Sequence, residues 1–346
     1  MSLSACGTSW GPGGIISLAR GPCLGQFYKN AFGQKLNREN TLSRRYAIYD
    51  VFTDTRLAGN PLAVVFDADD LDDGTMQRIA GEFNLSETVF VKTPENPTHS
   101  ARLRIFTPGR ELPFAGHPTV GAAIAIAEEG EGGEAGLRDL VSVLEENVGP
   151  VRCAVRLGAR NAAFAEFDMP RKAARLEATF DRQALADAFS LKPGQIGFEN
   201  HVPSLWSAGV AFVMIPVHDL AASAAVDFDP TLWERCAPFA EGRLASAYLY
   251  CRGGVNHVAR FHARMFAPDM GIAEDPATGA AVAALSGAIH FFDKLVDGHH
   301  PLLVEQGVEM GRPSFIHLHL DIAGGAIAGA RIGGEAVRIA SGMLDL

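Results

Sequence analysis

The chain has 346 residues, of which 47% are hydrophobic and 20% charged, and its net charge is −10. That length holds one large domain or two of ordinary size. The acidic balance excludes a general nucleic-acid surface, and no apolar run approaches the ~20 residues that a membrane helix needs.

Residues 1–45 stand apart. They hold six Lys/Arg and one acid, Glu39, with frequent Gly, Ser and Pro and no clear period. They read as an accessory extension, and folding is expected to start at Tyr46. Tyr46–Phe52 and Leu62–Phe66 read as strands around the turn Leu57-Ala-Gly-Asn-Pro61. Asp70–Phe83 has helical spacing through Met76, Ile79 and Phe83. The polar loop Asn84-Leu-Ser-Glu-Thr then enters a strand, and Arg102–Phe106 is another. A Gly/Glu-rich turn is expected at Gly130–Gly136.

Beyond Leu140 short strands dominate. Helices are expected at Arg182–Phe189 and Pro230–Ala240, and the tail gives separate strands at Ala326–Arg331 and Ala336–Ala340. Many short strands with few helices point to an α+β protein. Five scattered cysteines, Cys6, Cys23, Cys153, Cys236 and Cys251, form no C-x-x-C pair. Zinc and disulfide frameworks are therefore not expected, and a reducing, cytoplasmic setting is.

Two stretches share one grammar. Glu274-Asp-Pro-Ala-Thr-Gly runs into an Ala-rich segment ending at Ile289, and Phe114-Ala-Gly-His-Pro-Thr-Val-Gly runs into another ending at Ala127. Proline at a helix start costs little, because the first helical N–H groups lack partners. Each segment is apolar on nearly every face, so each helix should be buried all round. Their starts expose free N–H groups at the positive end of a helix dipole, a place to hold a carboxylate or phosphate. Two such starts suggest two related halves facing one cleft; the competing reading is two unrelated buried helices.

Three side chains could carry proton chemistry there. Glu87 enters an apolar strand, His117 precedes Pro118, and Asp275 precedes Pro276. The plainer readings are a solvated acid, a packing histidine and a helix N-cap. Together in one cleft they suffice for proton transfer on a small molecule. His317 and His319 share a strand face at metal-compatible spacing, but with no acid or cysteine pattern nearby they read as a polar face. His299-His300 reads as an exposed loop. No G-x-S-x-G, P-loop or dinucleotide fingerprint is present, and no cofactor or metal is expected.

At these residues the chain resembles the PhzF family of phenazine-biosynthesis isomerases. The resemblance is carried by Leu57-Ala-Gly-Asn-Pro-Leu-Ala-Val-Val, Asn84-Leu-Ser-Glu-Thr-Val-Phe, Glu111-Leu-Pro-Phe-Ala-Gly-His-Pro-Thr-Val-Gly, Glu274-Asp-Pro-Ala-Thr-Gly and Glu305-Gln-Gly-Val-Glu-Met-Gly-Arg-Pro-Ser. It implies a diaminopimelate-epimerase-like fold of two pseudo-symmetric barrel-like halves, each around a central helix. The halves would be 46–145, with 335–346 returning to it, and 146–334.

The resemblance also implies a homodimer, and a Glu87 that shuttles a proton on a substrate like trans-2,3-dihydro-3-hydroxyanthranilate, assisted by His117 and Asp275. Gly116, Thr278, Gly279 and Ala280 would bind the carboxylate-bearing substrate. One departure stands out: the family's Ser after Thr-Gly is Ala280 here. The epimerases and racemases of this fold use two thiols, and neither loop has one. A single carboxylate suits a different task, taking a proton from one carbon and returning it to another. The alternatives are an isomerase or epimerase acting on another metabolite, and a binding protein that has lost catalysis.

Overall fold

A computed structural model describes residues 43–130, 138–158 and 162–346. The expected extension lies outside these residues except for Ser43–Arg45, which open the first strand, Ser43–Val51. The Gly/Glu-rich turn also lies outside them, apart from Gly130, which ends a helix.

Alternating apolar and polar residues put one strand face inward. In Gly149–Leu157, Val151, Cys153 and Val155 are buried while Arg152, Ala154 and Arg156 face out. Eight strands built this way close a barrel. Ser43–Val51 pairs antiparallel with Asn60–Val65, which pairs parallel with Glu87–Lys92. Ala101–Phe106, Arg138–Glu146, Gly149–Leu157 and Ala163–Asp168 follow in order. The long strand Ala326–Asp345 completes the ring, pairing with Ala163–Asp168 and then with Ser43–Val51.

The second half repeats the same succession. Ser204–Ser207 and Ala211–Pro216 are antiparallel, and Ala211–Pro216 and Ser246–Arg252 are parallel. Ser246–Arg252 and Phe261–Ala267 are antiparallel, and Phe261–Ala267 and Gly298–Gln306 are parallel. Ser314–Ala323 then joins Gly298–Gln306 to the early part of Ala326–Asp345. One strand thus serves both halves.

Each sheet wraps a helix. Gly116–Gly130 is buried from Gly116 to Ala125, and Gly279–Asp293 from Ala281 to Ile289. Small residues let these helices sit inside a sheet on all sides. Among the described residues no helix is long and apolar enough to cross a membrane.

Three expectations are corrected. His299 and His300 lie in the strand Gly298–Gln306, opposite Asp321 and Leu320, because sheet pairing overrides their loop-like composition. The helix from Pro230 ends at Cys236, since Pro238 disfavours a helical residue before it. The two tail strands are one continuous strand that runs straight through Gly333-Gly334.

Candidate active site

Glu87 is placed by a helix that stops abruptly. Asp72 caps the helix Asp73–Phe83 by accepting from the Thr75 amide at 2.7 Å. Asn84 ends it in the left-handed conformation, φ 51°, with its N–H on Ala80 O. Three residues later Glu87 opens a strand alongside Asn60–Val65.

Asn60 follows a turn clamped from the other half. Arg312 donates to Asp50 (2.7 Å) and to the carbonyls of Ala58 and Gly59. Asn60 is buried, and its Nδ2 lies 3.0 Å from Asp275 Oδ1, 2.9 Å from Ala277 O and 3.4 Å from His117 Nδ1.

Asp275 ends the strand Ile272–Asp275 and does not cap the helix; Thr278 holds the N-cap position. The carboxylate accepts instead from Asn60, from Ser86 Oγ at 3.3 Å and from Thr278 Oγ1 at 2.5 Å. Gln306 fixes the backbone behind it, donating to Asp275 O at 2.8 Å and accepting from Thr278 N at 3.2 Å.

Glu87 and His117 meet across this network. Glu87 Oε2 and His117 Nε2 are 3.4 Å apart, off hydrogen-bond geometry, and both atoms are buried without a partner. Asn60 Nδ2 directs its two hydrogens to Ala277 O and Asp275 Oδ1 and lies 3.4 Å from His117 Nδ1; the tautomer with its proton on Nε2 presents a donor to Glu87. Burial pushes His117 down to about 3, so the ring is neutral at ordinary pH. Burial, and then the Asp275 charge, push Glu87 well above the usual carboxylate range. Burial raises Asp275 to about 6, against the lowering effect of its hydrogen bonds from Thr278, Asn60 and Ser86. A carboxyl group with a raised pKa beside a neutral imidazole donor can take up a proton and release it.

The two helix starts touch here. A Cβ on Gly116 would lie 2.9 Å from Gly279 Cα, so no side chain fits between them. Both positive helix ends therefore reach one place, and the first N–H groups of each have no partner within the helix. A cavity of about 210 Å³ adjoins them, reaching Phe114 before one helix and Ala280 and Ala283 on the other. Glu87, His117 and Asp275 do not line that cavity.

The structure thus brings Glu87, His117, Asp275, Gly116, Thr278 and Gly279 together, with Ala280 at the cavity wall. Asn60 and Gln306 join them without having been singled out, although the Leu57–Val65 and Glu305–Ser314 motifs contain them. His317 and His319 lie on the outward face of a strand beside Glu335 (3.7 Å) and Glu166 (3.3 Å). Elsewhere, Glu199, His201 and Asp293 cluster at ligand-like spacing, and Arg252 already binds both acids.

Comparison with known proteins bears on the family and the fold. The family model described as phenazine biosynthesis-like protein matches residues 49–342. An uncharacterized isomerase of Mesorhizobium japonicum is 55% identical over 304 residues, covering 87% of this chain and 99% of that protein. The trans-2,3-dihydro-3-hydroxyanthranilate isomerase of Pseudomonas aeruginosa is 34% identical over 300 residues, 86% of this chain and 98% of its own. The crystal structure of a PhzF-family protein of Bacillus anthracis superposes with TM-score 0.77 at 24% identity, covering 88% of this chain and 99% of the other. The chain belongs to the PhzF, or phenazine biosynthesis-like, family of isomerases and has its diaminopimelate-epimerase-like fold.

Proposed function

We propose that this isomerase moves a proton within a small carboxylate-bearing substrate of the trans-2,3-dihydro-3-hydroxyanthranilate kind, with Glu87 as the acid/base. The observation that carries this reading is the buried, unpartnered pair of Glu87 Oε2 and His117 Nε2, 3.4 Å apart beside two joined helix starts. The name of the relative at 34% identity supports the substrate class.

The substrate carboxylate sits on the N–H groups at Gly116, Gly279 and Ala280. Ionised Glu87 takes a proton from a saturated carbon, and the C–H electron pair enters the adjoining double-bond system. The bonds shift, and Glu87 returns the same proton to a carbon at the far end. Nothing is gained or lost overall. His117 Nε2–H steadies the Glu87 carboxylate as a neutral donor, which an imidazolium would do at the cost of trapping the proton. Asp275, held by Asn60, Ser86 and Thr278, orients a polar substituent of the substrate.

The test is turnover of trans-2,3-dihydro-3-hydroxyanthranilate, followed by ultraviolet absorbance. Glu87→Gln should lower kcat by roughly 10²–10⁴-fold, the range for a positioned acid/base. Because Glu87 must be ionised to begin, wild-type kcat should fall as pH drops, with a limb above the ordinary carboxylate range. Normal turnover by Glu87→Gln would overturn the assignment.

Ala280 favours a second reading, in which the same proton shuttle serves another carboxylate. Absence of turnover by folded wild type, restored by Ala280→Ser, would select it.

A further inference from the structure

We propose that Gln306 is a positioning residue for the proton transfer: by fixing the hydrogen-bond directions around Asp275 it keeps that carboxylate ionised and leaves Glu87 as the group that carries the proton. This rests on the site described above and assigns the proton within it.

Backbone groups set the direction. Gln306 is fully buried between Asp275 O, which can only accept, at 2.8 Å and Thr278 N, which can only donate, at 3.2 Å. Its amide therefore has one allowed orientation, nitrogen toward Asp275 O and oxygen toward Thr278 N. The Tyr248 hydroxyl, 3.1 Å from the same oxygen, donates to it as well. The second Nε2 hydrogen falls on Thr278 Oγ1, 3.1 Å away. Thr278 has one hydroxyl hydrogen, and it goes to Asp275 Oδ2 at 2.5 Å.

The other carboxylate oxygen is fixed in the same way. Asn60 Nδ2 donates to the Ala277 carbonyl at 2.9 Å, and its second hydrogen meets Asp275 Oδ1 at 3.0 Å. Both Asp275 oxygens thus face committed donors, which favour the ionised form. A proton on Oδ2 would point at Thr278 Oγ1 and leave the Thr278 hydrogen without an acceptor among the described residues, a buried donor unmade. Glu87 has no such set, since its Oε2 is buried without a partner. One proton shared by the two acids therefore settles on Glu87.

The other titratable groups around Asp275 are His117, Tyr248 and Glu274. His117 and Tyr248 are neutral, and Glu274 is held by Arg264 Nε and Nη2 at 2.8 and 2.9 Å. An ionised Asp275 only accepts, so the substrate substituent that it orients is an N–H or O–H donor.

The experiment titrates the unliganded protein with carbon-13-labelled Asp and Glu side-chain carboxyls, the two signals assigned by their loss in Asp275→Asn and Glu87→Gln. Wild type at pH 7 should show Glu87 protonated and Asp275 ionised. Gln306→Met frees the Thr278 hydroxyl from its donor. Thr278→Val removes that hydroxyl and leaves both backbone bonds of Gln306 in place, so it reads the relay even where Gln306→Met does not fold. Each should raise the Asp275 midpoint by about one pH unit or more, a tenfold gain in proton affinity. A merely structural Gln306 gives the opposite sign, because a loosened site admits water and relieves the burial that raises Asp275. Any other distribution in wild type at pH 7, or an Asp275 midpoint that falls or stays in place in Thr278→Val or in folded Gln306→Met, would overturn the inference. No substrate takes part, so lost turnover reports on the Glu87 shuttle and these midpoints on Gln306.

Discussion

In the first half the Glu145 carboxylate accepts from the amides of Glu95 and Asn96, both at 2.8 Å, and from His99 Nδ1 at 2.9 Å. In the second half Glu305 accepts from the amides of Val255 and Asn256, both at 2.7 Å, and from His262 Nδ1 at 2.8 Å. Asn96 and Asn256 each turn their side-chain oxygen to the amide two residues on. One polar turn has been built twice, at matching places in the two sheets. The next residues differ. Gln306 uses both its oxygen and its nitrogen, while Glu146 leaves Oε2 buried and unpartnered. A shared scaffold therefore tolerates different chemistry at its mouth: Glu87 and His117 come from one half, and Asp275, Thr278 and Gln306 from the other.

The largest effect expected from this comparison lies at the repeated turn. Glu305 is 2% exposed and Glu145 15%. Burial opposes ionisation of Glu305, but hydrogen bonds from His262, Asn256 and Val255 outweigh it and hold its pKa low. Burial likewise lowers His262, and Glu305 and Glu309 overcome this to push it up to about 9. The acid's stabilisation is present above the unfolded carboxylate range and lost as pH falls. The histidine's is present below its unfolded value and lost as pH rises through about 9. Glu305→Gln leaves a buried charge short of a partner, and at pH 7 should cost about 3–5 kcal/mol. Glu145→Gln should cost clearly less. Equal losses in denaturant melts would break the claim that the buried copy is the stabilising one.

A second test concerns the joint between the halves. A Cβ on Gly116 meets Gly279 Cα at 2.9 Å, while one on Gly279 meets Gly116 Cα at 3.2 Å and Phe52 Cζ at 3.4 Å. Backbone cannot swing aside as a side-chain tip can. Gly116→Ala should destabilise by about 1–3 kcal/mol, more than Gly279→Ala, and both should weaken carboxylate binding. Thermal melts and a calorimetric titration with benzoate read the two effects separately.

How much of this was legible differs by residue. Glu87, His117 and Asp275 could be found because local grammar marks them: proline at a helix start, small residues after it, an acid entering an apolar strand. Both central helices follow from the same pattern. Asn60 could not be found that way, because its role is to reach Asp275, 215 residues on. Arg312 clamps Asp50 from 262 residues away, and no periodicity records such a contact. The 20-residue strand Ala326–Asp345 reads as two in the sequence, with Gly333-Gly334 in the gap between them. Gly334 instead lies against Phe52, and Gly333 against Glu166 of the paired strand, places where a Cβ would clash. Asp275 resembled an N-cap because Asp-Pro near a helix usually is one; Thr278 took that position and left the carboxylate to the network.

The smallest expected effect separates Glu146 from its counterpart Gln306. Burial pushes Glu146 up to about 8, against the lowering effect of the hydrogen bond from Thr119. A carboxyl raised in the folded state stabilises fully below its unfolded pKa, and that contribution is lost as pH rises through about 8. Glu146→Gln supplies the neutral amide that the second half already uses. At pH 5 it should change little, because the acid is protonated in the folded protein. At pH 9 it should raise Tm by about 1–2 °C, of the order that relieving about 1 kcal/mol gives in a chain this size. A gain independent of pH would mean that the amide acts through packing. A loss at both pH values would mean that the unpartnered oxygen is held there by a contact the amide cannot make, and the two halves would then differ at this position by more than charge.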